Sequence, residues 1–147
     1  LDFNIDTEII HFRGFIDRVD KNEEGEIRVI DYKRSNSNLS EKDLISGKRL
    51  QLPIYSLAAQ NALKLGEVKE GFYWIVKDAK SSSLTLSKFG TDEEDGLSLS
   101  VNILRNHLKN FIENFRYGRF PPVPPEPSCP DYCPASQWCW RYQPRSF

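Results

Sequence analysis

The sequence lacks methionine, has no long apolar run and carries almost no net charge. No stretch approaches the roughly 18 consecutive apolar residues of a transmembrane helix, and no basic-then-apolar signal segment opens the chain. Lysine and arginine (20) nearly balance aspartate and glutamate (21), so any polyanionic partner must be met by a local patch of charge. These absences favour an intracellular, cytoplasmic protein that does not contact a membrane.

The missing methionine also bears on where the chain comes from. The sequence opens on Leu1-Asp2-Phe3, within what reads as a strand, which favours a piece of a larger protein. Hydrophobic residues make up 39% and charged residues 28% of the 147, a composition typical of a folded soluble domain rather than of a disordered segment. The length allows one sizeable core.

Two runs of alternating apolar and polar residues flank a polar loop at 21–25, which contains Gly25. This pattern predicts a β-hairpin whose glycine takes a left-handed conformation. If the loop is centred on Glu24, Asp17 faces Asp31, because each lies seven residues from the centre. Lys33 then lies on the same face of the sheet as both carboxylates.

Directly opposed carboxylates on paired strands must share either a proton or a cation, since like charges repel at that distance. The lysine beside them makes the group typical of a site for a metal ion and a phosphate. Asp31 follows Val29 and Ile30, which suggests a strand buried on both sides, where an unpaired charge is costly. The alternatives are a solvated hairpin face, or a register one residue different that separates the two carboxylates.

A predicted helix follows at 50–65, with Gly66 as its C-terminal cap. Gln51 and Tyr55 lie four residues apart and therefore on one helix face, where each needs a hydrogen-bond partner if buried. Before this helix, the Ser/Asn-rich stretch 34–48 reads as a loop, with Ser40 capping a short helical turn. Its basic residues either add positive charge beside the hairpin or are simply solvated.

A strand at 71–77, a second at 83–87 and a long helix at 93–117 complete the predicted core. The Pro-rich link that begins at Pro121 separates this core from the tail. We therefore expect a core at 1–120 and a tail at 121–147 that packs on it.

All three cysteines of the chain lie in this tail, at Cys129, Cys133 and Cys139. In an intracellular protein such clustering favours metal thiolate ligation over disulfides. Three thiolates are one short of the four that zinc or an iron–sulfur cluster usually takes. A zinc-binding adaptor, and a disulfide with one free thiol, remain alternatives.

Taken together, the stretches 14–20 (GFIDRVD), 29–35 (VIDYKRS), 50–55 (LQLPIY) and the cysteine tail resemble the RecB-like branch of the PD-(D/E)xK nuclease superfamily. The tail makes the resemblance greatest to its iron–sulfur members, such as the C-terminal nuclease domain of AddB-like helicase–nucleases. The resemblance implies an α/β fold of the restriction-endonuclease-like type, with a mixed central sheet, an antiparallel hairpin and flanking helices. It also implies exonuclease cleavage of DNA with Mg²⁺ or Mn²⁺, beside a helicase domain or subunit in DNA repair or recombination.

Carried over by position, the resemblance assigns roles to the residues of the hairpin and the following helix. Asp17, Asp31 and the backbone carbonyl of Tyr32 would bind the divalent metal, and Lys33 would contact the scissile phosphate and the attacking water. The supporting residues would be Gln51, Tyr55, Arg18 and Asp20. Cys129, Cys133 and Cys139 would ligate a 4Fe–4S cluster in the full-length protein, whose fourth cysteine this chain does not contain. A catalytically inactive DNA-binding or scaffold module is the alternative function.

Overall fold

The computed structural model describes residues 1–35, 39–123 and 128–143. The chain forms two compact units, Leu1–Asn110 and Phe111–Phe147, with the boundary inside the last helix. Part of the predicted Ser/Asn-rich loop (36–38) and part of the Pro-rich link (124–127) lie outside the described residues. The packing of the tail on the core stays a prediction.

The first unit contains all the strands of the described chain. They are β1 (Asp2–Ile5), β2 (Glu8–His11), β3 (Arg18–Lys21), β4 (Glu26–Lys33), β5 (Glu67–Ile75) and β6 (Lys80–Thr85). The helices are α1 (Glu41–Ile45), α2 (Gln51–Leu57), α3 (Leu86–Phe89) and α4 (Gly96–Arg116). None of the helices in the described ranges combines the length and the apolar content needed to cross a bilayer.

The strands form a two-stranded ribbon of β1 and β2 and a four-stranded sheet in the order β3-β4-β5-β6. Within the larger sheet β4 and β5 are parallel, whereas β3 and β6 are each antiparallel to their neighbour. The parallel connection passes through α2, which contacts both strands. This is the mixed α/β sheet with an antiparallel hairpin that the sequence predicted.

The hairpin of β3 and β4 has the predicted register. Arg18 pairs with Ile30 and Val19 with Val29, so the strands are centred on Glu24. Gly25 takes a positive φ of 86° in the loop, as expected for its left-handed position. Gly66 is also required, because a Cβ there would lie 2.1 Å from the carbonyl oxygen of Gly25.

The core of the first unit lies between the sheet and the helices that cover it. Strand β4 contributes Val29 and Ile30, which point to opposite faces and are 0% and 5% exposed, in agreement with a strand buried on its two faces. The other buried apolar side chains of this core are Ile27, Leu39, Leu44, Leu52, Ala59, Val68, Tyr73, Ile75, Leu84, Leu86, Phe89 and Leu97.

The predicted helix at 50–65 is shorter and less regular than its sequence pattern indicates. The α-helical part ends at Leu57 and continues as a π-helical segment over Ala58–Ala62. The left-handed residue after it is Lys64, with φ of 52°, rather than the predicted cap Gly66. The side-chain oxygen Oε1 of Gln60 accepts a hydrogen bond from the backbone N–H of Val68 at 2.8 Å, which ties this irregular segment to the start of β5.

The predicted strand at 83–87 ends at Thr85, and α3 begins at Leu86. The cause lies on the neighbouring strand, where the Glu70 carboxylate accepts hydrogen bonds from the backbone N–H (3.1 Å) and the hydroxyl of Ser87. These bonds satisfy donors in the first turn of α3, in which Leu86 is buried. The last helix begins at Gly96 rather than near residue 93, because Asp95 accepts the Ser98 N–H at 3.0 Å.

Candidate active site

Asp31 lies near the end of β4, in the interior of the sheet. Asp31 is only 2% exposed. It pairs in register with Tyr73 on β5. The register of the β3–β4 pairing, continued one residue beyond Arg18, places Asp17 opposite Asp31. Asp17 itself is exposed and directly precedes β3. Its Oδ2 accepts a hydrogen bond from the backbone N–H of Tyr32 at 2.9 Å, which holds this carboxylate beside Asp31.

The protonation equilibrium of Asp31 reflects its surroundings. Burial raises the pKa of Asp31 above its ordinary value, the ammonium of Lys33 opposes that rise, and the negative charge of Asp17 adds to it. The positive charge of Arg49, just before α2, also lowers the pKa of Asp31.

The buried oxygen of Asp31 is paired with the ammonium of Lys33. Oδ2 is enclosed and lies 2.5 Å from Nζ of Lys33, an ion pair that offsets part of the cost of its burial. A buried carboxylate oxygen in this state retains an unused lone pair. It is therefore a suitable ligand for a small cation.

Lys33 is held from a second direction by α2. Its Nζ donates a hydrogen bond to Oε1 of Gln51 at 2.9 Å, and Nε2 of Gln51 donates to the hydroxyl of Tyr55 at 2.7 Å. The side chain of Lys33 is 25% exposed, so its ammonium still reaches solvent. Asp31, Lys33, Gln51 and Tyr55 thus form one chain of contacts, and Asp17 lies beside it; that these side chains form an active site stays a prediction.

Tyr73 belongs to this site, although sequence reasoning treated it only as part of an aromatic strand. Its ring centroid lies 5.5 Å from Nζ of Lys33, its residue is fully buried, and burial raises its pKa to about 12. The signal that could have found it is the parallel pairing of β4 with β5, which aligns Tyr73 with Asp31. Sequence periodicity alone does not give that pairing.

Arg18 and Asp20 form a separate network on the other face of the hairpin. Asp20 accepts hydrogen bonds from Nε of Arg18 at 2.7 Å and from Nε of Arg28 at 2.9 Å. Arg18 also donates to the hydroxyl of Tyr32 at 3.3 Å. The hydrogen bonds from Arg18 and, to a smaller extent, from Arg28 lower the pKa of Asp20. The contacts of this network link the two strands.

The cysteine tail forms turns rather than a ligand cage. Cys129, Cys133 and Cys139 are free thiols, the first buried and the others partly so. Among the described residues no group of three or more histidine, cysteine, aspartate or glutamate side chains is arranged to hold a metal ion. The structure therefore supports neither the predicted iron–sulfur cluster nor the zinc alternative.

Comparison with known proteins gives an independent indication of what this geometry serves. The family model described as the PD-(D/E)XK nuclease superfamily matches residues 1–140. An ATP-dependent helicase/deoxyribonuclease subunit of Staphylococcus haemolyticus (strain JCSC1435) is 37% identical over 100 residues. That match covers 60% of this chain but only 8% of the curated relative. No solved structure matches the chain significantly.

Proposed function

The chain belongs to the PD-(D/E)XK nuclease superfamily, and on this premise we propose that its site hydrolyses DNA phosphodiester bonds with a divalent metal ion. The observation that carries the proposal is the buried Asp31 carboxylate, opposed by Asp17 and contacted by the Lys33 ammonium at 2.5 Å. A sheet that served only as a scaffold would gain nothing from a buried charge next to a like charge. A site for a cation and a phosphate needs that arrangement.

The donor set fits Mg²⁺ or Mn²⁺. Asp17 and Asp31 offer carboxylate oxygens, and the backbone carbonyl of Tyr32 is the third proposed ligand. Hard divalent cations prefer such all-oxygen sets. Oδ2 of Asp31 is paired with the Lys33 ammonium, and its second lone pair is available to such an ion. When bound, the ion supplies an activated water and neutralises charge on the phosphoryl oxygens.

The remaining chemistry belongs to side chains of this chain. Negative charge builds on the non-bridging phosphate oxygens as water attacks, and the Lys33 ammonium stabilises that charge from beside the carboxylates. Gln51 fixes the position of the ammonium through the 2.9 Å hydrogen bond, and Tyr55 fixes the amide of Gln51. The buried ring of Tyr73 lies 5.5 Å from the ammonium and adds a cation–π attraction. Preorganised groups of this kind need little rearrangement at the moment of reaction.

The finer features of the function follow from the family and from the curated relative. That relative is named as a subunit of an ATP-dependent helicase/deoxyribonuclease. We infer that this chain works beside a helicase domain or subunit in DNA repair or recombination, and that it degrades DNA from an end as an exonuclease. The alternative is an inactive DNA-binding or scaffold module with the same fold.

A cleavage assay separates the two functions. The purified protein is incubated with end-labelled DNA in Mg²⁺, in Mn²⁺ and in EDTA, and wild type is compared with Asp31→Asn and with the control Glu24→Gln. Glu24 is an exposed acid in the loop of the same hairpin. We expect wild type and Glu24→Gln to cleave only with metal and Asp31→Asn to lose at least about 10²-fold in rate. Equal cleavage by Asp31→Asn and wild type would contradict the catalytic proposal.

A further inference from the structure

An open groove of about 760 Å³ lies between the segment that leads into β3 and the helix α2 with its π-helical extension. We call it the apolar groove, because its walls are formed mainly by the side chains of Phe12, Phe15, Ile16, Ile54, Ala58 and Leu63. Phe15 is 90% exposed and Leu63 is 59% exposed. Large apolar side chains that are this exposed to solvent are typical of a surface that binds a ligand or a partner.

The apolar groove is continuous with the candidate active site. Gln51 and Tyr55 line it, and these residues form the hydrogen-bonded chain that reaches Lys33. Phe15 precedes Asp17 by two residues, and an added Cβ on Gly14 would lie 3.8 Å from the Tyr55 ring. A DNA strand with its phosphate at Asp17 and Lys33 therefore places the neighbouring nucleotide at the mouth of this groove.

The charge of the groove suits a polyanion. Among its described lining residues Arg13 is the one with a charged side chain, and no carboxylate is present. This is notable in a chain with 21 acidic residues. The cation of such a wall attracts the phosphates of a nucleic acid, and its apolar side chains can contact the bases. Base faces are available for stacking on such a wall only in a single strand, since a duplex keeps them stacked internally.

We propose that the apolar groove binds an unpaired nucleobase of single-stranded DNA next to the scissile phosphate, with Phe15 as the stacking platform and Arg13 as a contact to the backbone. This inference rests on the proposed function, because it uses the position of the phosphate at the candidate site. It assigns the groove the role of selecting single strands, while Asp17, Asp31 and Lys33 perform the chemistry. Neither Phe15 nor Arg13 takes part in the reaction itself.

Binding is measured in EDTA, so that cleavage plays no part. The probes are a fluorescent single-stranded oligonucleotide, the same strand with successive single abasic positions, and the matching duplex. The variants are Phe15→Ala, Phe15→Trp and the control Val76→Ala, whose side chain is 59% exposed but does not line the groove. Fluorescence anisotropy gives the dissociation constant, and thermal unfolding gives Tm for each variant.

We expect Phe15→Ala to weaken single-strand binding about tenfold, Phe15→Trp to retain or tighten it, and Val76→Ala to have no effect. Removing the one base that stacks on Phe15 should weaken binding by wild type but not further weaken binding by Phe15→Ala. Duplex affinity should change little in every variant.

Unchanged single-strand affinity in Phe15→Ala, or an equal loss for single strand and duplex, would overturn the inference. So would a fall in Tm without any change in DNA affinity, since that result means the groove packs against protein. Failure of the proposed function is distinguishable, because it appears as a wild-type protein that binds single strands yet does not cleave them in Mg²⁺.

Discussion

Lys33 and Gln51 lie 18 positions apart in the sequence and are joined by a hydrogen bond of 2.9 Å between Nζ and Oε1. This bond connects the strand that carries Asp31 to the helix that crosses over to β5. It occupies one of the three ammonium N–H donors of the lysine. The position of the ammonium beside the carboxylates therefore depends on a contact from outside the hairpin.

Replacing Gln51 with leucine should lower kcat by about one to two orders of magnitude, because the Lys33 ammonium loses the partner that positions it. Steady-state kinetics on a DNA substrate measure the effect. Tyr55→Phe removes only the partner of the Gln51 amide, so its loss should be smaller. A Gln51→Leu enzyme with wild-type kcat would show that the bond has no role in turnover.

Replacing Tyr73 tests whether its ring matters beyond packing. Tyr73→Phe keeps the ring 5.5 Å from the ammonium and should retain kcat, whereas Tyr73→Leu should lose about fivefold to tenfold in kcat with little change in KM. The control is Leu84→Ala, at a fully buried position on β6. It should lower the free energy of unfolding by about 3 kcal/mol but leave kcat unchanged at temperatures below the Tm of the variant. If Leu84→Ala and Tyr73→Leu lower kcat equally, the ring is only a core residue.

The raised pKa of Asp31 predicts a pH-dependent stability in metal-free buffer. Because the folded protein binds this proton more tightly than the unfolded chain, the stability linked to it is present at low pH and is lost as pH rises through the pKa of folded Asp31. Asp31→Asn, which removes the buried charge, should raise Tm near pH 7 by about 3 °C. The difference should shrink toward pH 4, and a mutant less stable than wild type at neutral pH would contradict it.

The backbone leaves no room for a side chain at Gly66. Gly66→Ala places a Cβ 2.1 Å from the carbonyl oxygen of Gly25, so the hairpin loop or the start of β5 must move. We expect a loss of about 2 kcal/mol or more in the free energy of unfolding, measured by urea denaturation. Gly118→Ala is the comparison, because Gly118 also has a positive φ but no atom within 4 Å of the added Cβ.

The local parts of the fold followed from the sequence, and the non-local parts did not. The alternation of apolar and polar residues on both sides of a loop centred on Glu24 was sufficient to predict the hairpin register. The four-residue spacing of Gln51 and Tyr55 was sufficient to place both on one helix face. The position of Tyr73 in the site depends on the parallel pairing of β4 with β5 across a crossover connection. The sequence of neither strand specifies which residues that pairing aligns. The early turn into α3 likewise depends on Glu70, 17 positions before Ser87.

Metal binding by the opposed carboxylates is the decisive measurement for the proposed site. Mn²⁺ is titrated into wild type, Asp17→Asn, Asp31→Asn and the control Glu24→Gln, and the bound ion is counted by electron paramagnetic resonance. We predict one ion per chain for wild type and Glu24→Gln, and at least about tenfold weaker binding for each aspartate variant. Wild-type affinity in Asp17→Asn or in Asp31→Asn would contradict a shared ion between the two strands.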